Sequence, residues 1–307
     1  MTILPRGSDG SRLRTRFAPS PTGPLHLGHA YSVWIASNLA TFHGGELLLR
    51  IEDIDQSRAR PEWENLIRTD LEWLGVRWSG PVLRQSERME HYRAALQRLW
   101  DMGLLYPCSC TRADIASAVS APQEGVRLGP DGVVYPGTCR AARRAGPLPD
   151  SALRLNMRKA MQAIGAVEFL ERNSPTRSVT RSADNLISSV GDVVLARRGV
   201  GTSYHLSVVL DDAGQGITHV VRGEDLFEAT AIHVVLQRLL ELPTPVYLHH
   251  DLIRDADGRR LAKRHDARAI REYRDRGATP ADLRRLVGLR QAPRAMISAS
   301  SPPRTAV

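Results

Sequence analysis

The 307-residue chain has only three cysteines, too few for a disulfide scaffold of this size. No apolar run approaches the roughly 18 residues that cross a membrane as a helix. The opening stretch, "MTILPRGSDGSRLR", lacks the apolar core of a signal peptide, so a cytoplasmic location is expected. No internal repeat stands out. Acidic residues are also short, 33 against 42 Lys and Arg, leaving a net charge of +9. That excess suits an anionic partner, most simply a nucleic acid. The remaining composition, 42% hydrophobic and 24% charged, is that of an ordinary globular protein with a real core.

Periodicity predicts an α/β chain. "TRFAP" and "ELLLRIED" read as strands. Between them, apolar groups at Tyr31, Trp34, Ile35, Leu39 and Phe42 have helical spacing, which makes a parallel strand–loop–helix–strand unit. A second helix opens with Pro61 and carries Trp63, Leu66, Ile67, Leu71 and Leu74, and a third covers 89–103 and ends at Gly103. Residues 1–12 read as a flexible arm and 13–105 as the first half of a catalytic domain. The texture of 106–185 is loop-rich, and this segment is expected to be an insertion outside the sheet. Strand signals return in "DVVLAR", "SYHLSVVL" and "ITHVVRG", followed by a helix with Ile232, Val235, Leu236, Leu239 and Leu240 on one face. The second half of the domain is placed at 186–250, a basic helical segment at 251–290, and a disordered tail at 291–307.

The stretch "RFAPSPTGPLHLGH" sets His26 and His29 around Gly28 where a loop meets a helix start. Free backbone N–H groups and a positive dipole end would greet a phosphate there, and imidazoles add donors where charge builds up. The alternative is that the two histidines merely cap the helix.

This string, with "LLRIEDID" after it, resembles the signature of class I glutamyl-tRNA synthetases over about residues 14–290. The resemblance implies a class I Rossmann-like catalytic domain that joins glutamate and ATP, taken with Mg2+, into glutamyl-adenylate. His26 and His29 then act as catalytic residues and, with Gly28, as ATP-binding ones. The family places Arg16, Ser20, Glu52, Tyr204 and Arg222 around glutamate. Guanidinium for carboxylate and carboxylate for ammonium is the chemistry such a pocket needs. Asp53 and Asp55 read as pocket or capping groups. In "GRRLAKRHDAR", Lys263 matches the reactive-loop lysine that neutralises departing pyrophosphate, while Arg260, Ala262 and Arg264 depart from the familiar KMSKS text.

Three cysteines, Cys108, Cys110 and Cys139, fall in the segment 106–185, which holds no histidine. A zinc ion there would need an oxygen ligand to complete its tetrahedron. The resemblance implies Tyr135 as that ligand, and Asp131 competes for the place. The chain is short for an ordinary member. Together with the cysteine pattern, its length resembles a truncated branch of the family that transfers glutamate to queuosine in the anticodon of tRNA(Asp). Residues 259–276 hold eight Lys and Arg against three acids, a surplus fit for RNA phosphates, with Tyr273 able to stack or pack. A monomer working on tRNA, glutamate and ATP, without a membrane partner, is expected. A fragment of an ordinary synthetase and a non-catalytic tRNA-binding relative are the competing readings.

Overall fold

The computed structural model describes residues 12–119, 127–141, 146–172, 175–253 and 268–289. The chain begins with β1 (Arg14–Phe17), α1 (Leu27–Phe42) and β2 (Glu46–Ile51), and the two strands pair in parallel from Arg14 opposite Glu46 to Phe17 opposite Leu49. Next come α2 (Pro61–Trp73), which starts on its proline, and β3 (Leu83–Arg84), which extends the sheet parallel to β2. A third helix, α3 (Met89–Asp101), stops before Gly103, whose φ of +75° favours a residue without a Cβ.

The middle of the chain holds β4 (Leu105–Pro107), α4 (Arg112–Val119), the hairpin β5 (Leu128–Gly129) with β6 (Gly132–Val133), and β7 (Leu153–Leu155). Then follow α5 (Met157–Ile164), β8 (Val167–Glu171), β9 (Arg177–Arg181), the short α6 (Ala183–Asn185) and β10 (Val194–Ala196). Strands β4, β7 and β10 form a small antiparallel sheet.

The last described part contains α7 (Tyr204–Gly214), β11 (His219–Gly223), α8 (Thr230–Leu239), β12 (Val246–His250), α9 (Ile270–Asp275) and α10 (Pro280–Leu286). Strands β11, β12 and β8 are parallel, and β9 lies antiparallel at the edge. Backbone N–H groups of Arg14 and Thr218 donate to Thr218 Oγ1 and Arg14 O, both at 2.9 Å, which sets β1 beside β11. Neighbouring residues of β11 serve different cores: Val220 packs with the apolar residues of α3, α5, α7 and α8, and Val221 with those of α1 and α2. The parallel strands are therefore covered on both faces.

Three expectations change. "SYHLSVVL" is the start of α7 and not a strand: Ser203 caps it by accepting from the Leu206 N–H, and Leu206, Val208, Val209 and Leu210 are all buried. A helix buried all round shows no 3.6-residue stripe, so its apolar run imitates a central strand. Residues 167–181, expected outside the sheet, supply β8 and β9 to it, with Glu171 paired to Tyr247. On α1 the deep positions are Ala30, Val33, Trp34, Ala36 and Ala40, while Phe42 is 72% exposed. Small residues let that helix lie close on the strands. The expected arm (except Arg12), the tail 291–307 and the lysine loop lie outside the described residues.

Asp70 on α2 is fully buried. Its Oδ1 accepts from Arg274 of α9 at 3.3 Å, and its Oδ2 has no hydrogen-bond partner among the described residues. Burial pushes its pKa up to about 6 against the pull of Arg274 and Arg271. A folded-state pKa above the unfolded one means stability that is present at low pH and lost as pH rises through about 6. Asp70→Asn, which cannot ionise, is expected to raise the unfolding midpoint at pH 8 and to leave it nearly unchanged at pH 4. Thermal melts of both proteins across that range check this.

Candidate active site

A cleft of about 400 Å³ opens at the C-terminal ends of the parallel strands. In α/β sheets this is where loops diverge and ligands bind. Arg16 comes from β1, Ser20, His26 and Gly28 from the loop into α1, and His29 from its first turn. Glu52 follows β2, Tyr204 opens α7, and Arg222 lies near the end of β11. Eight residues singled out in the sequence thus line one cavity. Lys263, the ninth outside the cysteine segment, lies outside the described residues, as do Arg260, Ala262 and Arg264. The flanks of 254–267 both reach the cleft: Leu252 and Ile253 line it, and Ala269 forms a β-bridge with His26.

His26 and His29 do cap α1. The Gly28 N–H donates to His26 Nδ1 and the His26 N–H donates to His29 Nδ1, each at 3.1 Å. Both caps use Nδ1 of the ring. A neutral imidazole that accepts at Nδ1 carries its proton on Nε2, so the caps turn both Nε2 atoms into donors. The rings lie 3.8 Å apart, at the positive end of the helix.

Beneath the cleft runs a buried ion network that the motif reading did not find. Arg50 of β2 donates to Asp212 Oδ1 at 2.7 Å and to Glu52 Oε1 at 3.2 Å, and lies 4.0 Å from Asp211. Arg16 donates to the same Asp212 oxygen at 3.0 Å. Asp211 accepts from Arg88, Gln85 and Tyr92, each at 2.8 Å. Burial pushes the Glu52 carboxyl up from its ordinary pKa, despite Arg50 and Arg16. The available signal was the acid pair in "SVVLDDAG": two carboxylates on an apolar helix require cations beside them.

Arg222 is also buried, but among the described residues none of its hydrogen-bond partners is a carboxylate. Its Nε–H donates to His249 Nε2 at 3.1 Å and an Nη1–H to His233 Nδ1 at 3.0 Å. The Nη2 group reaches Thr230 Oγ1 at 2.7 Å and Leu226 O at 3.2 Å. Burial, followed by the charge on Arg222, holds the His233 pKa well below normal, so that ring is neutral at physiological pH. The site therefore presents a guanidinium in place, with its charge unmatched by a directly bonded anion among the described residues.

Asp53 and Asp55 are tied to neighbouring backbone and hydroxyl groups. Asp53 accepts from the Ser86 N–H at 2.9 Å and its hydroxyl at 2.6 Å, and Asp55 accepts from Ser57 at 2.6 Å. Tyr273 packs into the core beside α1 and α2. Part of the basic surplus is structural too, since Arg274 is the partner of Asp70.

The three thiols converge, with all sulfurs within 4.8 Å of one another. Tyr135 is buried beside them, its hydroxyl 3.5 Å from Cys108 Sγ and 3.3 Å from Cys110 Sγ. Arg154 approaches Cys108 Sγ at 3.3 Å and stacks over the Tyr135 ring at 3.8 Å. The Tyr135 hydroxyl lowers the Cys139 thiol pKa to about 6. Three soft sulfurs and one oxygen fit a tetrahedral zinc site. Asp131, the competing ligand, points elsewhere: both its oxygens accept from His205 Nε2, at 2.8 and 2.9 Å.

Residues 12–127 and 148–299 match the family model of tRNA synthetases class I (E and Q), catalytic domain. A protein named glutamyl-Q tRNA(Asp) synthetase from Rhodobacter capsulatus is 61% identical over 278 residues, covering 90% of this chain and 99% of its own. One of the same name from Verminephrobacter eiseniae is 42% identical, covering 83% of each chain. Among solved structures, a glutamate tRNA ligase from Elizabethkingia meningosepticum in complex with its amino acid aligns with a TM-score of 0.65 at 27% identity. The alignment covers 83% of this chain and 53% of the ligase, so the chain spans about half that protein's length.

Asp212→Asn removes the anion that Arg16 and Arg50 share. Breaking a buried pair from one side costs about 3–5 kcal/mol, and denaturant unfolding is expected to show a loss of that order.

Proposed function

The chain belongs to the class I tRNA synthetase family (E and Q, catalytic domain), and from that premise we propose that it activates L-glutamate with ATP and transfers the glutamyl group to queuosine in the anticodon of tRNA(Asp). The observation that carries the amino-acid part is Arg222, a buried guanidinium whose direct partners among the described residues are all neutral, in the cleft that holds His26 and His29. The identity of the acceptor rests on the 61% identical relative and its name.

In this reading Arg222 and Arg16 face the carboxylates of glutamate, Glu52 its ammonium, and Ser20 and Tyr204 the remaining surface. The glutamate α-carboxylate oxygen attacks the α-phosphorus of Mg2+-bound ATP, and the bond to pyrophosphate breaks. Donors at His26 and His29 Nε2, with the N-terminus of α1, stabilise charge on the phosphates, and Lys263 takes up charge on the leaving pyrophosphate. A hydroxyl of the queuosine cyclopentene diol then attacks the glutamyl carbonyl, releasing AMP, which takes the proton. A second cleft of about 720 Å³ shares Tyr204 with the first and is lined by Arg112, Arg154, Arg197 and Arg198, a cationic wall suited to an anticodon loop. Cys108, Cys110, Tyr135 and Cys139 would hold one zinc ion, whose role is to staple a segment with little apolar core. No helix among the described residues is long and apolar enough to cross a membrane. We place the enzyme in the cytoplasm with its tRNA, as a monomer.

The decisive test is glutamate transfer to tRNA(Asp) from cells with and without queuosine. Labelling of only the modified tRNA, surviving removal of its 3′ adenosine, is expected, whereas labelling of tRNA(Glu) at its 3′ end would refute the acceptor. In ATP–pyrophosphate exchange, Arg222→Ala should weaken glutamate use by about 2–5 kcal/mol, as for loss of one buried charged partner. Lys263→Ala should instead slow adenylate formation with little change in the glutamate requirement.

Metal analysis of purified protein should find about one zinc per chain, in line with structural sites of this ligand type. Tyr135→Phe should weaken binding less than any cysteine substitution, because thiolate is the stronger ligand. A metal-free preparation that is fully folded and active rules out the structural zinc.

A further inference from the structure

Asp131 sits in the turn between β5 and β6, far in sequence from every residue of the glutamate pocket, yet a continuous run of hydrogen bonds connects it to Arg222. Arginine only donates, so the contact between Arg222 Nη1 and His233 at 3.0 Å makes His233 Nδ1 an acceptor. The proton of that neutral ring then sits on Nε2, which is 3.0 Å from His205 Nδ1. His205 accepts there and carries its own proton on Nε2, which faces the Asp131 carboxylate at 2.8 and 2.9 Å. Each link sets the tautomer of the next. The direction of the whole chain follows from the fact that a guanidinium starts it and a carboxylate ends it.

We infer that Asp131 is a positioning residue for amino-acid recognition, holding Arg222 through His205 and His233; this rests on the assignment of Arg222 to the glutamate carboxylate. The second arm has the same design, since His249 Nδ1 donates to Glu171 Oε2 at 2.6 Å while its Nε2 accepts from Arg222. A carboxylate bonded directly to Arg222 would compete with the substrate. Imidazole spacers keep the counter-charge one or two rings away and fix the plane of the guanidinium. Among the described residues four of the five Arg222 N–H groups are used, two of them on imidazoles, and one on Nη1 remains for a substrate oxygen.

The end of the chain is itself anchored. A Cβ on Gly129 would lie 2.4 Å from the Ser189 carbonyl oxygen, so the hairpin is pressed onto 186–190. His205 is 8% exposed in its side chain and Asp131 is 47% exposed, which places the terminal carboxylate at the rim of the cationic cleft. The cysteine-bearing segment thereby acts on the residue that reads glutamate.

Two readouts test this. Imidazole nitrogen shifts of 15N-labelled protein should place the proton on Nε2 in both His205 and His233, and an Nδ1–H tautomer in either ring breaks the chain. In ATP–pyrophosphate exchange, Asp131→Ala should raise the glutamate KM about tenfold, the effect of one charge-assisted hydrogen bond, with kcat and the ATP KM near the parent values. Asp131→Asn keeps an acceptor for His205 and should recover most of the loss. In a His233→Gln background the Asp131→Ala effect should largely vanish, since the link is already cut. If Asp131→Ala lowers the melting temperature and leaves the glutamate KM unchanged, Asp131 merely holds the hairpin and the inference is overturned. Absence of exchange by the parent protein would instead overturn the proposed activity, with the nitrogen shifts still deciding the chain.

Discussion

Arg50 is fully buried and meets Asp212, Glu52 and, at longer range, Asp211. Few arrangements are more demanding, because each of these charges loses most of its hydration and is tolerated only with its partners in place. That demand welds β2 to α7, and Arg16 extends the weld to β1. Asp211 carries it on to Gln85 and Arg88 in the turn before α3 and to Tyr92 in its first turn. The floor of the cleft is therefore a set of interlocked ion pairs and not a layer of aliphatic packing. Geometry that oil-like packing would fix only loosely is set here by directional bonds.

How much of this was legible depends on what each residue has to satisfy. The β1–α1–β2 unit was readable because its elements are amphipathic or bounded by Pro and Gly, signals confined to one stretch of chain. The run 203–210 misled because a helix buried all round and a central strand present the same apolar text. The pairing of β8 with β12 joins segments some 75 positions apart, and no local pattern announces it. Motif text brought Arg16, Glu52, Tyr204, Arg222, His26 and His29 to attention, and one cleft gathers them. It was silent on Arg50, Asp212, His205, His233 and His249, which work on other side chains and not at the surface of the cleft. Composition held one unused hint: of 42 basic residues only Lys159 and Lys263 are lysines, so a lysine in that loop stands out in an arginine-rich chain.

The two histidines at α1 bear on a general question of reading motifs. Capping and ligand binding are usually weighed as rival explanations for a polar residue at a helix start. Here the cap sets the tautomer, and the tautomer makes the outer nitrogen a donor. The same logic runs through Arg222, where a guanidinium dictates the protonation of each ring behind it. Histidine is the residue for such work because one nitrogen can satisfy the fold while the other faces a different partner.

Charge accounting shows what this cleft offers a carboxylate that it does not offer an amide. Arg16, Arg50 and Arg88 are matched by Glu52, Asp211 and Asp212 within the network. Arg222 stands apart from that balance, with its counter-charges, Asp131 and Glu171, held behind imidazoles. A bound ligand that brings a carboxylate supplies the missing direct partner, and a neutral amide supplies only a dipole. In a buried setting that difference is large, since the guanidinium has little water to fall back on. The bonds to His233, His249, Thr230 and Leu226 hold Arg222 in place, and the same bonds leave it without a directly bonded carboxylate among the described residues. A guanidinium fixed in this way keeps its orientation whether or not a carboxylate is present.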